Sequence, residues 1–427
     1  MKRQHKFFLT LAAALVWLLF SAVLAVPWIR QASLSLPLGY VVWAVGGIAL
    51  LPGYLMCAMF LSNLLNRKLP TAAPALRLPV TVLLCARNEA PHIYRTLQAL
   101  AAQQYGGCME VLCVDNGSTD CTCAEIRRAA AALGRPDFRI RLLQCPQPGK
   151  AHALNLGLAH VRTRCFITVD ADTCLEKTAV NTILHRLTAS GAACVAGNLL
   201  VGRAQSWVQR MQVYDYAISI AAIKRYQGSC GSTLVAQGAF SAYDTRAVRG
   251  VGGWTQCAGE DIVLTYRLLA TGRCSLYEPR AVGYTLAPET LPALCRQRTR
   301  WARGMLEGLR AVKPWQQAAM CSGYFETLNV SILYLDLAYV FGFLAGVILA
   351  LLGWPLLVGW LTLLVLPLTL IGIFSVYDFQ RRIPAVHIRH SLLGFLCYLV
   401  LFQPVQSLCS LTGYWQALTG RRLHWKT

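Results

Sequence analysis

Uncharged apolar stretches at both ends of the chain constrain its fold more than any other feature. Two of them, 7–26 and 38–65, precede a long polar middle region, and a third runs from 337 to 376. A helix needs about 20 apolar residues to cross the bilayer core. The first two stretches therefore predict one membrane span each, and the third predicts two spans with a turn at 353–355.

A last apolar segment, 391–412, is a weaker candidate because Gln403, Pro404 and Gln406 interrupt it. Basic residues favour the cytoplasmic side of a membrane, and those flanking the first two spans place the N-terminus and the middle region there. A fifth crossing would send the basic tail outside, so this segment either lies at the interface or breaks the rule. The sequence predicts a multi-pass inner-membrane protein with a cytosolic middle region and four or five spans.

The first apolar stretch has a second interpretation, since Val23-Leu24-Ala25 resembles a signal-peptide cleavage site. Its apolar region is long for a signal peptide, so we predict a membrane anchor. The chain is 56% hydrophobic and 14% charged, which excludes intrinsic disorder. Its net charge of +21 suits contact with anionic lipid, and no nucleic-acid-binding module accompanies it.

The seventeen cysteines are spread along the chain without a CxxC pair. Structural zinc sites usually use closely spaced cysteine pairs, and most of these cysteines lie in apolar runs. We therefore predict free thiols in a reducing compartment.

Short apolar runs alternate with helical patterns between residue 77 and about residue 320. Buried parallel strands have this apolar character, and strand–helix alternation predicts an α/β fold with a doubly wound, mostly parallel sheet. Ligands of such sheets bind beyond the carboxyl ends of the strands. The predicted strands are 80–85, 111–114, 140–143 and 166–169.

Acidic residues follow two of these predicted strands. Asp115 opens an Asp-Asn-Gly-Ser-Thr-Asp segment, for which a turn with a helix cap is an adequate explanation. Asp170 and Asp172 follow the next strand but one, and two carboxylates at a buried strand end repel each other unless a cation lies between them. The pair predicts a divalent-cation site, with a solvated strand end as the alternative.

Three further segments have both a structural and a chemical interpretation. Lys150, at a predicted helix start, suits a phosphate or is simply a helix-edge lysine, and His152 reads as a surface residue. Glu260-Asp261 either caps a helix or supplies a general base. The four arginines and Trp301 within 296–303 suit anionic lipid or a diphosphate beside a sugar ring, and composition does not separate these.

The ordered set of motifs resembles the processive family-two membrane glycosyltransferases of GT-A fold. The matching segments are Ala86-Arg-Asn-Glu89, Asp115-Asn-Gly-Ser-Thr-Asp120, Gly149-Lys-Ala151, Asp170-Ala-Asp172, Glu260-Asp261 and Gln297-Arg-Thr-Arg-Trp301. Within that group the chain is most similar to the catalytic subunits of bacterial poly-N-acetylglucosamine synthases. The resemblance implies a GT-A domain inserted between membrane helices.

The resemblance also implies roles for individual residues. It implies that Asp261 is the catalytic base, and that Asp170 and Asp172 bind Mg²⁺ or Mn²⁺. It implies nucleotide-sugar binding by Asn88, Glu89, Asp115, Asn116, Lys150, Asp170, Gln297 and Arg300. It implies acceptor binding by Gly238, Ala239, Phe240, Glu260 and Trp301. Two positions depart from the pattern: Asn116 stands where many relatives carry an acid, and Gly259 replaces a threonine, which we expect to loosen the following helix start.

The implied function is processive, inverting polymerisation of a β-linked polysaccharide from a UDP-sugar, most simply UDP-N-acetylglucosamine, with the spans aiding export. Implied partners are the UDP-sugar, the growing polysaccharide, membrane lipid and a small membrane subunit that confers cyclic-di-GMP control. Two alternatives stay open: a transferase that adds one sugar to a lipid, and an inactive scaffold or pore. We expect the chain to divide into two spans (1–68), a GT-A domain (69–290), an interfacial amphipathic region (291–328) and two or three spans (329–427).

Overall fold

The computed structural model describes residues 3–69, 73–358 and 365–420. The middle of the chain forms one eight-stranded sheet with helices on both faces. In chain order the strands are β1 Val80–Ala86, β2 Met109–Asp115, β3 Phe138–Gln144, β4 Cys165–Asp170, β5 Cys174–Leu175, β6 Cys194–Val201, β7 Phe240–Asp244 and β8 Ser275–Thr285. Their order across the sheet is β3-β2-β1-β4-β7-β6-β8-β5.

The first half of the sheet has the predicted parallel arrangement, because β1 pairs in parallel with β2 and β4, and β2 with β3. The four strands predicted from apolar runs all lie within these observed strands. The second half is more mixed: β7 runs antiparallel to both β4 and β6, and β5 runs antiparallel to β8. The α/β fold is confirmed, with a mixed sheet.

Each face of the sheet packs on its own hydrophobic core, as the alternation of side chains in β1 illustrates. Val82 and Leu84 lie in a cluster with residues of the helices Ile93–Ala101 and Ala179–Ser190. Leu83 points the other way, into a cluster beneath the helix Lys150–His160. Because every second residue of a strand faces the same side, one fully apolar strand serves both cores.

The apolar ends form long helices, and four helices of the described part are long and apolar enough to cross a membrane. These are Gln4–Ala32, Leu38–Leu65, Met320–Leu351 and Leu392–Leu418. The turn expected at 353–355 follows the third of these, and the helix Val365–Arg381 comes after residues outside the described ranges. The last helix is continuous through Pro404, although the sequence suggested an interruption there.

Two further helices connect the sheet to the apolar ends. The first runs through 207–229 and contains a π-helical turn at Asp215–Ile220. The second, Leu291–Ala311, lies along the last apolar helix, where a Cβ on Gly413 would approach Thr299 O to 2.4 Å. The remaining described α-helices are Thr122–Leu133, Thr245–Gly250 and Glu260–Ala270.

Candidate active site

The acidic strand ends lie side by side at the carboxyl edge of the parallel strands. Ala86 pairs with Asp115 on one side of β1, and Cys85 pairs with Asp170 on the other. This neighbourhood follows from the parallel register, since the carboxyl ends of adjacent parallel strands meet at one edge. The two acids that follow different predicted strands are thereby brought to the same edge.

Lys150 lies at the centre of this edge. Its Nζ is 2.8 Å from Asp170 Oδ1 and 3.7 Å from Glu260 Oε1. Burial alone would lower the pKa of Lys150, but the carboxylates of Asp170 and Glu260 raise it well above its ordinary value. The lysine is therefore held as a cation between a strand end and the start of the helix Glu260–Ala270.

Gly149 and Asn116 determine the shape of the loop that precedes Lys150. Gly149 has φ +129°, which favours glycine, and a Cβ there would also displace the Gln256 side chain, whose Nε2 would lie 1.9 Å away. The Asn116 amide accepts from Gly149 N at 2.8 Å and donates to Gln147 O at 2.7 Å. A carboxylate cannot donate, which gives a physical reason for an amide at 116 in this chain.

Asp261 joins the same cluster from the first turn of its helix. Its Oδ2 accepts from the backbone N–H of Gly238 at 3.2 Å, and its Oδ1 accepts from Ile262 N at 2.9 Å. A Cβ on Gly238 would lie 3.2 Å from Lys150 Nζ, so a glycine at 238 lets the lysine lie close to this backbone. Glu260, beside it, is 6% exposed, and burial raises its pKa.

Carboxylates are crowded on the other side of Asp170. Burial and the neighbouring Asp170 raise the pKa of Asp172. Burial, with Asp172 and Asp170, raises the pKa of Glu89 to about 7. Such crowding is what a bound cation relieves, and Mg²⁺ commonly binds one or two protein carboxylates together with substrate phosphates. Residues 3–69, 73–358 and 365–420 contain no group of three or more His, Cys, Asp and Glu side chains placed to hold a metal alone. The pair Asp170 and Asp172 thus fits a metal that substrate oxygens help to bind.

The helix Leu291–Ala311 brings its motif to the same region. Arg300 is close enough to Glu260 to oppose the rise of its pKa. Gln297 Oε1 is buried and has no hydrogen-bond partner among the described residues, so a ligand that donates a hydrogen bond would satisfy it. Trp301 packs beside Tyr216, with ring centroids 6.4 Å apart.

Some predicted residues contribute through the backbone or through the loop structure. Asp115 accepts from Ser118 N at 3.3 Å, and Asn88, at φ +56°, accepts from Thr119 N at 2.8 Å, which is the bonding expected of a turn. Ala239 O accepts from Asp170 N at 3.3 Å. Phe240 is fully buried, so its side chain offers no surface to an acceptor. His152 is exposed, as predicted.

Several residues near the site were not selected from the sequence. Arg298 donates to Asp215 at 2.6 Å in a buried ion pair, and its guanidinium carbon lies 4.4 Å from the centre of the Trp301 ring. Tyr216 is next to this pair. The π-helical turn that carries Asp215 and Tyr216 has no simple sequence signature, because its helix reads as an ordinary apolar pattern.

Comparisons with known proteins agree with this geometry. The profile of a family described as "Glycosyltransferase like family 2" matches residues 77–304. A poly-beta-1,6-N-acetyl-D-glucosamine synthase of Staphylococcus aureus (strain COL) is 33% identical over 227 residues, or 53% of this chain and 54% of that protein. The synthase of the same name from Staphylococcus epidermidis is 30% identical over the same shares. The chain thus spans about half the length of these curated relatives.

A solved structure supports the fold. The mannosyltransferase PcManGT from Pyrobaculum calidifontis, in complex with GDP-Man and Mn²⁺, has a TM-score of 0.55 and 19% identity, covering 90% of this chain and 100% of that one. At that identity the likeness concerns the fold, which is of the GT-A type. Because the family profile matches residues 77–304, more than half of the chain, the chain belongs to glycosyltransferase family 2.

Proposed function

We propose that this glycosyltransferase polymerises N-acetylglucosamine from UDP-N-acetylglucosamine into a β-linked polysaccharide at the cytosolic face of the inner membrane. The observation that carries the proposal is the convergence of four charged side chains: Lys150 lies 2.8 Å from Asp170 and 3.7 Å from Glu260, and the charge of the adjacent Asp261 also raises the pKa of Lys150. The choice of sugar is supported by the names of the curated relatives.

The nucleotide half of the substrate is assigned to the edge formed by β1 and β2. Asp115, Asn88 and Glu89 surround the proposed uracil position, and Asn116 acts by holding the loop of Lys150. Lys150, Gln297 and Arg300 are proposed to bind the diphosphate. The two cations suit phosphate oxygens, and the unpartnered oxygen of Gln297, which accepts, suits a hydroxyl of the attached sugar.

Asp170 and Asp172 are proposed to hold Mg²⁺ or Mn²⁺. A divalent cation at this position would stabilise negative charge on the leaving diphosphate. The protein's own contribution there is Lys150, which neutralises Asp170 and places a positive charge beside the same leaving group.

Asp261 is proposed as the general base that takes the proton from the acceptor hydroxyl. The N–H of Gly238 fixes one carboxylate oxygen. General-base catalysis of this kind contributes typically ~10²–10⁴-fold. Attack opposite the diphosphate inverts the anomeric centre and gives a β-linkage. Glu260 and the Gly238–Phe240 loop border the acceptor, and Trp301 with Tyr216 supports its sugar ring.

Processivity and export are proposed from the arrangement of the membrane helices around the catalytic domain. Helix Leu291–Ala311, which carries Trp301, packs directly on the last apolar helix. A polymer leaving Trp301 therefore begins its path at the membrane helices. The division of the chain at 68, 290 and 328, and a small partner subunit with cyclic-di-GMP control, remain predictions.

The test is incorporation from a panel of radiolabelled UDP-sugars by the purified full chain in lipid nanodiscs with Mg²⁺ or Mn²⁺. The proposal predicts a ladder of polymer from UDP-N-acetylglucosamine, degraded by an enzyme specific for β-linked N-acetylglucosamine. A single labelled glycolipid would contradict processivity. Absence of UDP release with every sugar would contradict the enzymatic assignment.

A further inference from the structure

The helix Glu260–Ala270 begins against the side of the helix Leu291–Ala311, and a carboxylate of the second helix binds the N–H of its N-cap residue and of the residue before that. Glu307 Oε2 accepts from Ala258 N at 2.6 Å and from Gly259 N at 3.3 Å. The first N–H groups of a helix have no partner within the helix, and a negative charge there is favourable. Glu307 therefore caps the helix that carries Asp261 from outside it.

The same carboxylate is also fixed on its own helix. Glu307 Oε1 accepts from Arg303 Nε at 2.9 Å, and the two side chains are only 17% and 13% exposed. A half-exposed surface pair of this kind contributes little, but this one is mostly withdrawn from water. One oxygen of Glu307 thus binds its own helix, and the other binds the neighbouring helix.

Backbone contact sets the separation of the two helices at this point. A Cβ on Gly259 would lie 2.6 Å from Gly304 Cα, and a Cβ on Gly304 would lie 2.7 Å from Gly259 Cα. Arg300, Gly304 and Glu307 follow one another at helical spacing and share one face of their helix. That face therefore presents Arg300 to the site and presents Gly304 and Glu307 to the helix of Asp261.

We propose that Glu307 is a positioning residue that fixes Asp261 relative to Gln297 and Arg300. This inference rests on the proposed function, in which Asp261 takes the acceptor proton and the other two bind the diphosphate. Loss of the cap frees the start of the helix with Asp261, while Gln297 and Arg300 stay anchored by their own helix and its contact with Gly413. The chemical step suffers, and nucleotide binding does not.

The experiment compares Glu307→Ala and Glu307→Gln in the full chain in nanodiscs. A displacement of ~1 Å in a catalytic group costs about 10²-fold in rate. We expect Glu307→Ala to lower kcat by about 10- to 100-fold, with the Kd for UDP unchanged within about twofold. Glu307→Gln keeps one oxygen that can accept from Ala258 and Gly259, but its NH2 group cannot accept from Arg303, so we expect a kcat between those of Glu307→Ala and the wild type.

Glu110→Ala is the matched control, because it removes a Glu–Arg pair whose side chains are 33% and 44% exposed, and Glu110 lies at the end of β2 opposite to Asp115. Gly304→Ala is the second variant, since its methyl group enters the contact with Gly259 without changing any charge. It should reproduce the loss of kcat with an unchanged Kd for UDP, even if Glu307→Ala fails to fold.

The outcomes separate this inference from the proposed function. An inactive Asp261→Asn beside a Glu307→Ala of wild-type kcat overturns the positioning role alone. A fully active Asp261→Asn overturns the proposed base. Equal losses of kcat and UDP affinity in Glu307→Ala and Gly304→Ala would indicate general structural damage and would also overturn the positioning role.

Discussion

Lys150 Nζ lies 2.8 Å from Asp170 Oδ1, and this contact joins the first turn of a helix to the end of strand β4. The lysine side chain is 26% exposed, so the charge is partly open to a ligand. Lys150 is the first residue of the helix Lys150–His160, and Asp170 ends the strand that follows this helix. This contact places a cation at the acidic edge of the sheet.

Replacing Lys150 with methionine should weaken binding of the nucleotide sugar. The substitution keeps most of the side-chain volume and removes the positive charge, so that Asp170 and Glu260 lose their contact with the ammonium group. A charge-assisted contact is worth about 1.5–3 kcal/mol, so we expect KM for the UDP-sugar to rise about tenfold or more. Lys177→Met, at an exposed lysine, is the control. Equal KM values for the two variants would contradict a diphosphate role for Lys150.

An alanine at Gly259 should destabilise the protein, because its Cβ would lie 2.6 Å from Gly304 Cα. Overpacking of this kind typically costs about 1–3 kcal/mol, and we expect a lower Tm by differential scanning fluorimetry. Gly250→Ala is the control, since a Cβ there meets nothing within 4 Å. A Gly259→Ala variant as stable as Gly250→Ala would show that the two helices can separate without cost.

Glu260 should make the stability of the protein depend on pH. Burial raises its pKa from 4.5 to about 7, so between these values the unfolded chain releases a proton that the folded protein retains. Stability contributed at this site therefore falls as pH rises from about 4.5 to 7. We expect the Tm of Glu260→Gln, relative to the wild type at the same pH, to be higher at pH 8 than at pH 5. The prediction would be contradicted if the difference in Tm between Glu260→Gln and the wild type were the same at pH 5 and pH 8, or were larger at pH 5.

Trp301→Ala should impair the acceptor side of the reaction. Trp301 packs beside Tyr216, and an aromatic contact of this kind contributes about 0.5–1.5 kcal/mol. We expect shorter polymers on gels while KM for the UDP-sugar changes less than about twofold, because the diphosphate residues remain. Trp315→Ala, at a tryptophan that is 80% exposed, serves as the control. Unchanged polymer length in Trp301→Ala would contradict the proposal that Trp301 supports the acceptor sugar ring.

Local sequence patterns were sufficient for the elements that build the acidic edge. The apolar runs around Val82, Leu112 and Phe166 could only be buried strands or short buried helices, and their length favoured strands. Once the strands are parallel, Asp115 and Asp170 meet at one edge without further information. The seventeen cysteines, all within the described ranges, are thiols that form no disulfide with one another, as their spacing indicated.

Long-range packing was not visible in the same way. The sequence suggested that Gly259 loosens its helix, but the structure places it against Gly304, a contact between residues 45 positions apart. The antiparallel placement of β7 also depends on partners far along the chain. Glu307 was not selected from the sequence, since its backbone partners Ala258 and Gly259 lie 49 and 48 positions earlier in the chain.

UDP release by wild type and Asp261→Asn, measured beside UDP affinity, tests the central claim most directly. With UDP-N-acetylglucosamine and Mg²⁺ or Mn²⁺, the wild type should release UDP. The rate of release by Asp261→Asn should be lower by ~10²-fold or by a larger factor. Both should bind UDP with similar Kd, since the variant keeps the diphosphate residues. Wild-type turnover by Asp261→Asn would contradict the account.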